Sequence, residues 1–204
     1  MLYRWQVLCE RLGAKGNMTS VYRMLTAYYD DLSRSYHTLE HIRHCLMEFD
    51  SCESYFSPMI ERDKVEMALW FHDVIYDPKR KDNEELSATY ARIILKEYGM
   101  EAIIPDVERL IMATTHTYLP EMLDEQVICD IDLAILGSHI EEFEGYEDAI
   151  RKEYSWVPAE NYTLGRRNVL NSFLERRSVF STWFFHGLYE ARARKNIERT
   201  IGRL

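Results

Sequence analysis

The chain has 204 residues, of which 47% are apolar and 29% charged, proportions typical of a soluble globular protein with one hydrophobic core. Its formal net charge of −9 argues against a broad nucleic-acid-binding face, because phosphate backbones are bound by clustered Lys and Arg side chains. The same charge still allows a small phosphorylated substrate in a local basic pocket.

Cys9, Cys45, Cys52 and Cys129 show no C-x-x-C spacing, so we expect buried reduced thiols rather than a zinc cluster or a disulfide framework. The N-terminus lacks the apolar segment of a signal peptide, and no apolar run approaches the ~18 residues of a membrane span. These features predict a cytoplasmic protein with no membrane contact.

Apolar residues recur at helical spacing along most of the chain, and no stretch alternates as a strand does. The predicted helices cover approximately residues 2–12, 18–32, 42–49, 62–75, 86–94, 105–114, 128–136, 140–154, 164–174, 179–188 and 189–204. Residues 51–58 are predicted to form a loop. Because no repeat or change of composition marks a linker, the sequence predicts one all-α domain over residues 1–204.

The helix predicted over 62–75 is apolar nearly all round, which indicates the most buried helix, and it ends with His72 and Asp73. An ionised carboxylate in such a place needs a cationic partner, and a divalent metal suits both side chains. Alternatively, Asp73 caps a neighbouring segment or turns to solvent, and His72 is a core histidine.

Further metal-ligand candidates stand on other predicted helices, namely His41 and either Asp130 or Asp132. Asp132 shares a predicted helical face with apolar residues and therefore needs a partner, whereas Asp130 suits a helix N-cap. Two imidazoles and two carboxylates would hold a divalent ion and leave positions open for water and substrate. His37 lies four residues before His41, so one of the pair is expected to be a ligand and the other a nearby proton donor.

The order His41, His72-Asp73, Asp132 resembles the HD-domain superfamily of metal-dependent phosphohydrolases. Residues 36–41 are also similar to the Y-H-N-x-x-H element of cyclic-nucleotide phosphodiesterases, where the first His is the general acid and the second a metal ligand. This resemblance implies that His37 is the acid and His41 a ligand. More closely, the chain resembles a bacterial family of predicted HD phosphohydrolases of unassigned substrate. The matching segments are 36–42, 71–76, 83–88, 130–137 and 150–154.

The chain departs from the phosphodiesterase pattern at three places. Thr38 stands where that pattern has Asn, Tyr76 lies one position beyond an expected His, and His116 stands alone where a His pair is expected. These departures favour one divalent transition metal (Mn, Fe, Ni, Co or Zn), with at most a weaker second ion. His116 is expected to contact a substrate phosphate, to ligate that second ion, or simply to end a helix.

Glu84, at the start of the helix after His72-Asp73, is expected either to orient the nucleophilic water or bond a ligand histidine, or only to favour a first helical turn. Arginines suit phosphate oxygens because of their guanidinium fork. Arg151 and Tyr154, three residues apart in a matching segment, and Arg177 are the substrate-binding candidates; Arg166, Arg167 and Arg176 are further basic residues.

The resulting hypothesis is hydrolysis of a phosphoester in a small metabolite or nucleotide, with His37 or His116 protonating the leaving group. The alternatives are a di-iron oxygenase of the same fold, which would need more histidines in the cavity, and a non-enzymatic metal-binding or interaction module with no pocket leading to the metal. The oligomeric state is not determined by the sequence.

Overall fold

The computed structural model describes residues 1–204 and contains α-helices, two short 3₁₀ turns and no strand, which confirms the all-α prediction. The helices are α1 (Leu2–Arg11), α2 (Met18–Tyr29), α3 (Leu39–Phe56), α4 (Arg62–Phe71), α5 (Asn83–Glu97), α6 (Ile104–Ala113), α7 (Leu123–Leu133), α8 (Ile140–Glu153), α9 (Ala159–Leu174) and α10 (Trp183–Arg203). The 3₁₀ turns are Glu101–Ile103, before α6, and Ala134–Gly137, directly after α7.

Helix α4 lies at the centre, as its apolar composition predicted. Every residue from Val65 to Phe71 is buried, and α1, α3, α5, α6 and α7 pack around the helix. The Trp70 ring meets the Trp5 ring edge-on, with ring centroids 5.4 Å apart. One continuous apolar core therefore surrounds α4, and the helix delivers its C-terminal end to the candidate site.

Helix α4 ends at Phe71, earlier than the predicted boundary at 75, because the next residues bond elsewhere. The buried Arg34 guanidinium donates to the carbonyl oxygens of Asp73 (2.7 Å) and Val74 (2.8 Å), and the Ile75 N–H donates to Ser87 Oγ. These bonds take the place of the backbone hydrogen bonds that would continue the helix, and they hold Asp73 in a turn. The turn directs the Asp73 side chain towards the neighbouring imidazoles.

Other boundaries also differ from the sequence-based prediction. Helices α5, α7 and α9 begin at residues 83, 123 and 159 rather than at the predicted 86, 128 and 164, and the two helices predicted over 179–188 and 189–204 form the single helix α10. Residues 51–56, predicted as a loop, continue α3, and Cys52 and Phe56 keep its apolar face buried. Helix α10 begins only at Trp183, because Glu190 accepts backbone N–H bonds from Val179 and Phe180 and holds them outside the helix.

All four cysteines are free and buried, as predicted. None of the ten helices combines the length and the apolar composition that crossing a bilayer requires.

Candidate metal centre

Four side chains from three helices and one turn converge below a cavity. His41 Nε2 lies 3.1 Å from His72 Nε2, 3.4 Å from Asp73 Oδ2 and 3.2 Å from Asp132 Oδ1. His72 Nε2 lies 3.2 Å from Asp73 Oδ2 and 3.6 Å from Asp132 Oδ1. Ligands about 2.0–2.2 Å from one divalent ion are about 3.0–3.6 Å from one another, so this donor set fits such an ion. The structure thus brings together all four residues predicted as ligands.

Local hydrogen bonds aim the donor atoms. His72, the residue that follows the last turn of α4, donates from Nδ1 to the Leu69 carbonyl at 2.9 Å, which leaves its Nε2 lone pair for the cluster. His41 lies in the first turn of α3, where the Thr38 hydroxyl caps the helix by accepting the Glu40 N–H. Asp132 lies one residue from the end of α7, facing His41.

The cluster concentrates charge in a buried place. His41 and His72 are only 3% and 1% exposed, and Asp73 is 9% exposed. Burial alone would lower the pKa of His72, but the carboxylates of Asp73 and Asp132 outweigh it and raise that pKa well above its usual value. Burial likewise opposes ionisation of Asp73, yet the imidazoles hold its pKa well below the usual range. The carboxylates of Asp73, which is buried, and Asp132, which is partly buried, therefore stay ionised and require cationic partners, either protons on the imidazoles or a metal ion.

Cys45, one turn after His41 on α3, is a fifth potential donor. Its Sγ lies 3.6 Å from His41 Nε2, and the ligand atoms of His41, Cys45, His72 and Asp132 all lie within 4.8 Å of one another. The sequence analysis assigned no role to this thiol. The spacing of four residues between His41 and Cys45 within one helix was the signal that could have found it.

A second polar cluster surrounds His37, beside the first. One Glu153 oxygen accepts the backbone N–H groups of Ser35 (2.8 Å), Tyr36 (2.8 Å) and His37 (3.0 Å). The other oxygen lies 2.8 Å from His37 Nδ1 and accepts the Tyr76 hydroxyl at 3.0 Å. The His37 ring also stacks on Tyr76, with centroids 3.9 Å apart.

Glu153 is a functional candidate that the sequence analysis missed. It lies in the segment 150–154, but nothing in the sequence showed which residue it contacts. Burial opposes its ionisation, yet the hydrogen bonds from the His37 ring and from backbone N–H groups outweigh burial and lower the pKa of Glu153 to about 2. Its carboxylate therefore stays charged at neutral pH and fixes the orientation of the His37 ring.

His116 contacts one of the four donor residues, Asp132. Its Nε2 lies 2.9 Å from Asp132 Oδ2, the oxygen that does not face His41. The backbone of His116 has a φ of 54°, a left-handed conformation that is uncommon for residues other than glycine. Arg176 donates to the His116 carbonyl at 2.8 Å and helps to hold this conformation. His116 does not end α6, which stops at Ala113, and its place in the cavity lining is compatible with contact to a substrate phosphate or to a second ion. Its contact with Asp132 was not predicted.

A cavity of about 670 Å³ opens directly above these residues. Asp73, Asp132, His37, His116 and Glu84 all contribute to its lining. Its other walls are rich in aromatic and basic side chains, namely Tyr36, Tyr76, Tyr146, Tyr154, Tyr162, Phe173, Arg80, Lys81 and Arg166. The donor cluster is therefore reachable by a small molecule.

Glu84 lines this cavity near Asp73 but makes no hydrogen bond to His41 or His72. Burial, together with the charges of Asp73 and Asp132, raises the pKa of its carboxyl group. Glu84 therefore lies where it could contact a water or a substrate, and the predicted bond to a ligand histidine is absent.

Of the three residues predicted to bind substrate, only one lines the cavity. Tyr154 lines the cavity, so the predicted contact between Tyr154 and a substrate stays a prediction. Arg151 does not, because its guanidinium donates to the carbonyl oxygens of Tyr154 (2.6 Å) and Val157 (3.2 Å) and lies on the Tyr162 ring. Arg177 is exposed and lies outside the cavity lining.

Among the other arginines, Arg166 does reach the cavity wall. It is already paired with Glu147 and donates to the Tyr146 hydroxyl at 2.8 Å. Lys81 also lines the cavity and has no ion-pair partner within the chain. Its ammonium group is therefore free to bind a phosphate.

Comparison of the chain with protein-family models, with curated proteins and with solved structures finds no match.

Proposed function

We propose that this protein is a metal-dependent phosphohydrolase of the HD type that acts on a small phosphorylated metabolite or nucleotide. The observation that carries the proposal is the convergence of His41, His72, Asp73 and Asp132 on one point beside an open cavity. Donors of this mixture suit Mn, Fe, Co, Ni or Zn and include no thiolate in the four-residue set.

A divalent ion in this set supplies a Lewis acid and lowers the pKa of a water molecule bound to it. The chain supplies the rest of the chemistry. Asp73 and Asp132 provide two negative charges, so the loaded centre is close to neutral and does not repel a phosphate group. Lys81, at the cavity wall, adds positive charge for the phosphate oxygens, whereas Arg80 beside it is already paired with Asp82.

In this proposal His37 protonates the leaving alkoxide. Because Glu153 holds Nδ1, the ring presents Nε2 as its free nitrogen, and a proton carried there can be donated within the cavity. The ionised Glu153 compensates the positive charge that the ring carries when both nitrogens are protonated. Tyr76, stacked on the ring, prevents it from turning away.

His116 and Glu84 complete the proposal as residues that contact substrate or orient the attacking water. His116 also fixes the second oxygen of Asp132, which keeps the first oxygen aimed at the two imidazoles. The cavity walls offer several tyrosine rings against which the organic part of the substrate can pack.

The experiment that tests the proposal is a phosphate-release screen over nucleotides and sugar phosphates, with Mn, Fe, Ni, Co or Mg added to metal-free protein. We expect release from at least one substrate, and its loss in His72→Gln and Asp73→Asn. His186→Gln, which changes an exposed histidine on α10, is the matched control.

The same screen separates the rival functions. About two irons per chain, with an absorbance change on exposure to oxygen and no phosphate release, would favour the oxygenase. Bound metal with no turnover of any substrate would favour a structural or interaction module. Such a module is expected to have a closed site, whereas Asp73 and Asp132 line an open cavity.

A further inference from the structure

The metal centre contains two overlapping donor sets that share His41, His72 and Asp132. Asp73 completes the first set, and its Oδ2 lies 3.2 Å from His72 Nε2. Cys45 completes the second set, with its Sγ 3.6 Å from His41 Nε2 and within 4.8 Å of the other donor atoms. The phosphohydrolase proposal uses only the first set, so the thiol remains without a function.

The geometry of the second set suits a tetrahedral ion. With a Zn–S distance of about 2.3 Å and Zn–N distances of about 2.0–2.1 Å, a tetrahedral sulfur–nitrogen edge is about 3.6 Å and a nitrogen–nitrogen edge about 3.4 Å. The observed Cys45–His41 and His41–His72 separations are 3.6 and 3.1 Å. The sulfur lies 3.8 Å from His41 Nδ1 and 3.6 Å from His41 Nε2, beside the ring, so the Cys45 side chain has to rotate for its sulfur to reach an ion held by Nε2.

We propose that Cys45 is an alternative ligand of this centre, so that thiophilic ions such as Zn²⁺ and Cd²⁺ are held by His41, Cys45, His72 and Asp132. This inference rests on the proposed metal centre and adds a form of regulation to it. Four protein ligands close a tetrahedral shell, as in structural zinc sites, and leave no position for water. Mn²⁺ and Mg²⁺ prefer oxygen ligands and keep the set that contains Asp73.

Replacing Asp73 by Cys45 as the fourth ligand conserves charge and atoms. The Cys45 thiol loses one proton to solvent as its sulfur bonds to the incoming ion, and no electron is transferred. The thiol is completely buried, so it is shielded from reagents that are too large to enter the core. The identity of the bound metal would therefore decide whether the protein is open to water and active or closed and inactive.

The test is a titration of metal-free wild-type protein, Cys45→Ser and Cys52→Ser with Co²⁺, with Cd²⁺ and with Mn²⁺. Cys52→Ser is the matched control, because Cys52 is a buried cysteine of the same helix, bonded to the Phe49 carbonyl and not part of the donor cluster. The measured signals are the ultraviolet thiolate-to-metal charge-transfer band and the dissociation constant. Cys45→Ala serves as a second variant should the serine variant not fold.

We expect the band to appear at one equivalent in wild type and Cys52→Ser and to be missing in Cys45→Ser. Loss of this ligand should weaken Cd²⁺ binding by about 10–100-fold and leave Mn²⁺ affinity within about threefold. A bound Co²⁺ without the band in wild type, or a band that persists in Cys45→Ser, overturns the inference.

The outcomes also separate this inference from the proposed function. Mn²⁺ binding with phosphate release but no thiolate band overturns only the role of Cys45. Failure of every ion to bind wild-type protein overturns both proposals, because the shared residues His41, His72 and Asp132 would then hold nothing.

Discussion

Glu153 and His37 are separated by 116 positions in the chain and yet share a 2.8 Å contact between Oε2 and Nδ1. Glu153 also accepts three consecutive backbone N–H groups of the segment that leads to His37. One carboxylate therefore holds both the ring and the backbone of the proposed general acid.

Replacing His37 by Gln should lower phosphate release by roughly 10²–10⁴-fold, the usual contribution of a positioned general acid. Metal content should stay at the wild-type level, because the His37 ring is bonded to Glu153 rather than to the donor cluster. Kinetics and elemental analysis of the same preparation check this prediction. If metal is lost with the side chain, His37 is a ligand and not the acid.

Replacing Glu153 by Gln should remove a pH-dependent contribution to the free energy of unfolding. The pKa of Glu153 is lowered from 4.5 to about 2, so its ionised form stabilises the fold above the higher value, and this contribution disappears as pH falls towards the lower one. Denaturant unfolding should show wild type more stable than Glu153→Gln at about pH 7 and a smaller difference at about pH 3.5.

Glu160→Gln, an exposed change on α9, is the control for this experiment and should alter the free energy of unfolding by less than about 0.5 kcal/mol at either pH. A difference between wild type and Glu153→Gln that grows on acidification would contradict the assignment of Glu153 as an ionised hydrogen-bond acceptor.

Arg34→Lys should weaken metal binding by about 10–100-fold, although Arg34 is not a ligand. The guanidinium donates to three carbonyl oxygens, those of His37, Asp73 and Val74, and lysine cannot reproduce this fork. The turn that aims the Asp73 carboxylate should then loosen. Calorimetric titration with Mn²⁺ measures the effect, and an unchanged affinity would show that the turn holds its shape without Arg34.

Gly137→Ala should destabilise the protein by about 1–3 kcal/mol, the usual cost of overpacking. A Cβ on Gly137 would lie 2.9 Å from the Cα of Tyr189, so the backbone of α10 would have to move. Gly145→Ala is the matched control, because a Cβ there meets nothing within 4 Å and lies within α8. We expect the control to stabilise the protein by about 0.5–1 kcal/mol, and equal effects of the two changes would refute the packing argument.

The all-α fold and the position of the central helix could be predicted because apolar spacing and composition are local properties of the chain. The convergence of His41, His72, Asp73 and Asp132 could be predicted in outline, since buried charged groups need partners. The end of α4 could not be predicted, because it depends on hydrogen bonds from Arg34 to carbonyl oxygens 39 and 40 residues away in the chain.

Other features of the site depend on contacts that no local pattern encodes. Arg151 was predicted to bind substrate, but its guanidinium donates to two backbone carbonyls, and Arg151 is not in the cavity lining. Asp130 was expected to be a helix N-cap, and this is wrong, because it lies inside α7. Its carboxylate instead accepts the N–H groups of Ser181 and Thr182, 51 and 52 residues away, just before α10 begins. Glu153 could be identified as a candidate only from its hydrogen bonds in the structure, above all the one with His37.

The most direct test of the central claim is elemental analysis of purified wild type, His72→Gln, Asp73→Asn and the His186→Gln control. We predict about one equivalent of a divalent transition metal in wild type and in the control, and close to none in the other two variants. Full metal content in both His72→Gln and Asp73→Asn would contradict the claim that these side chains hold the ion.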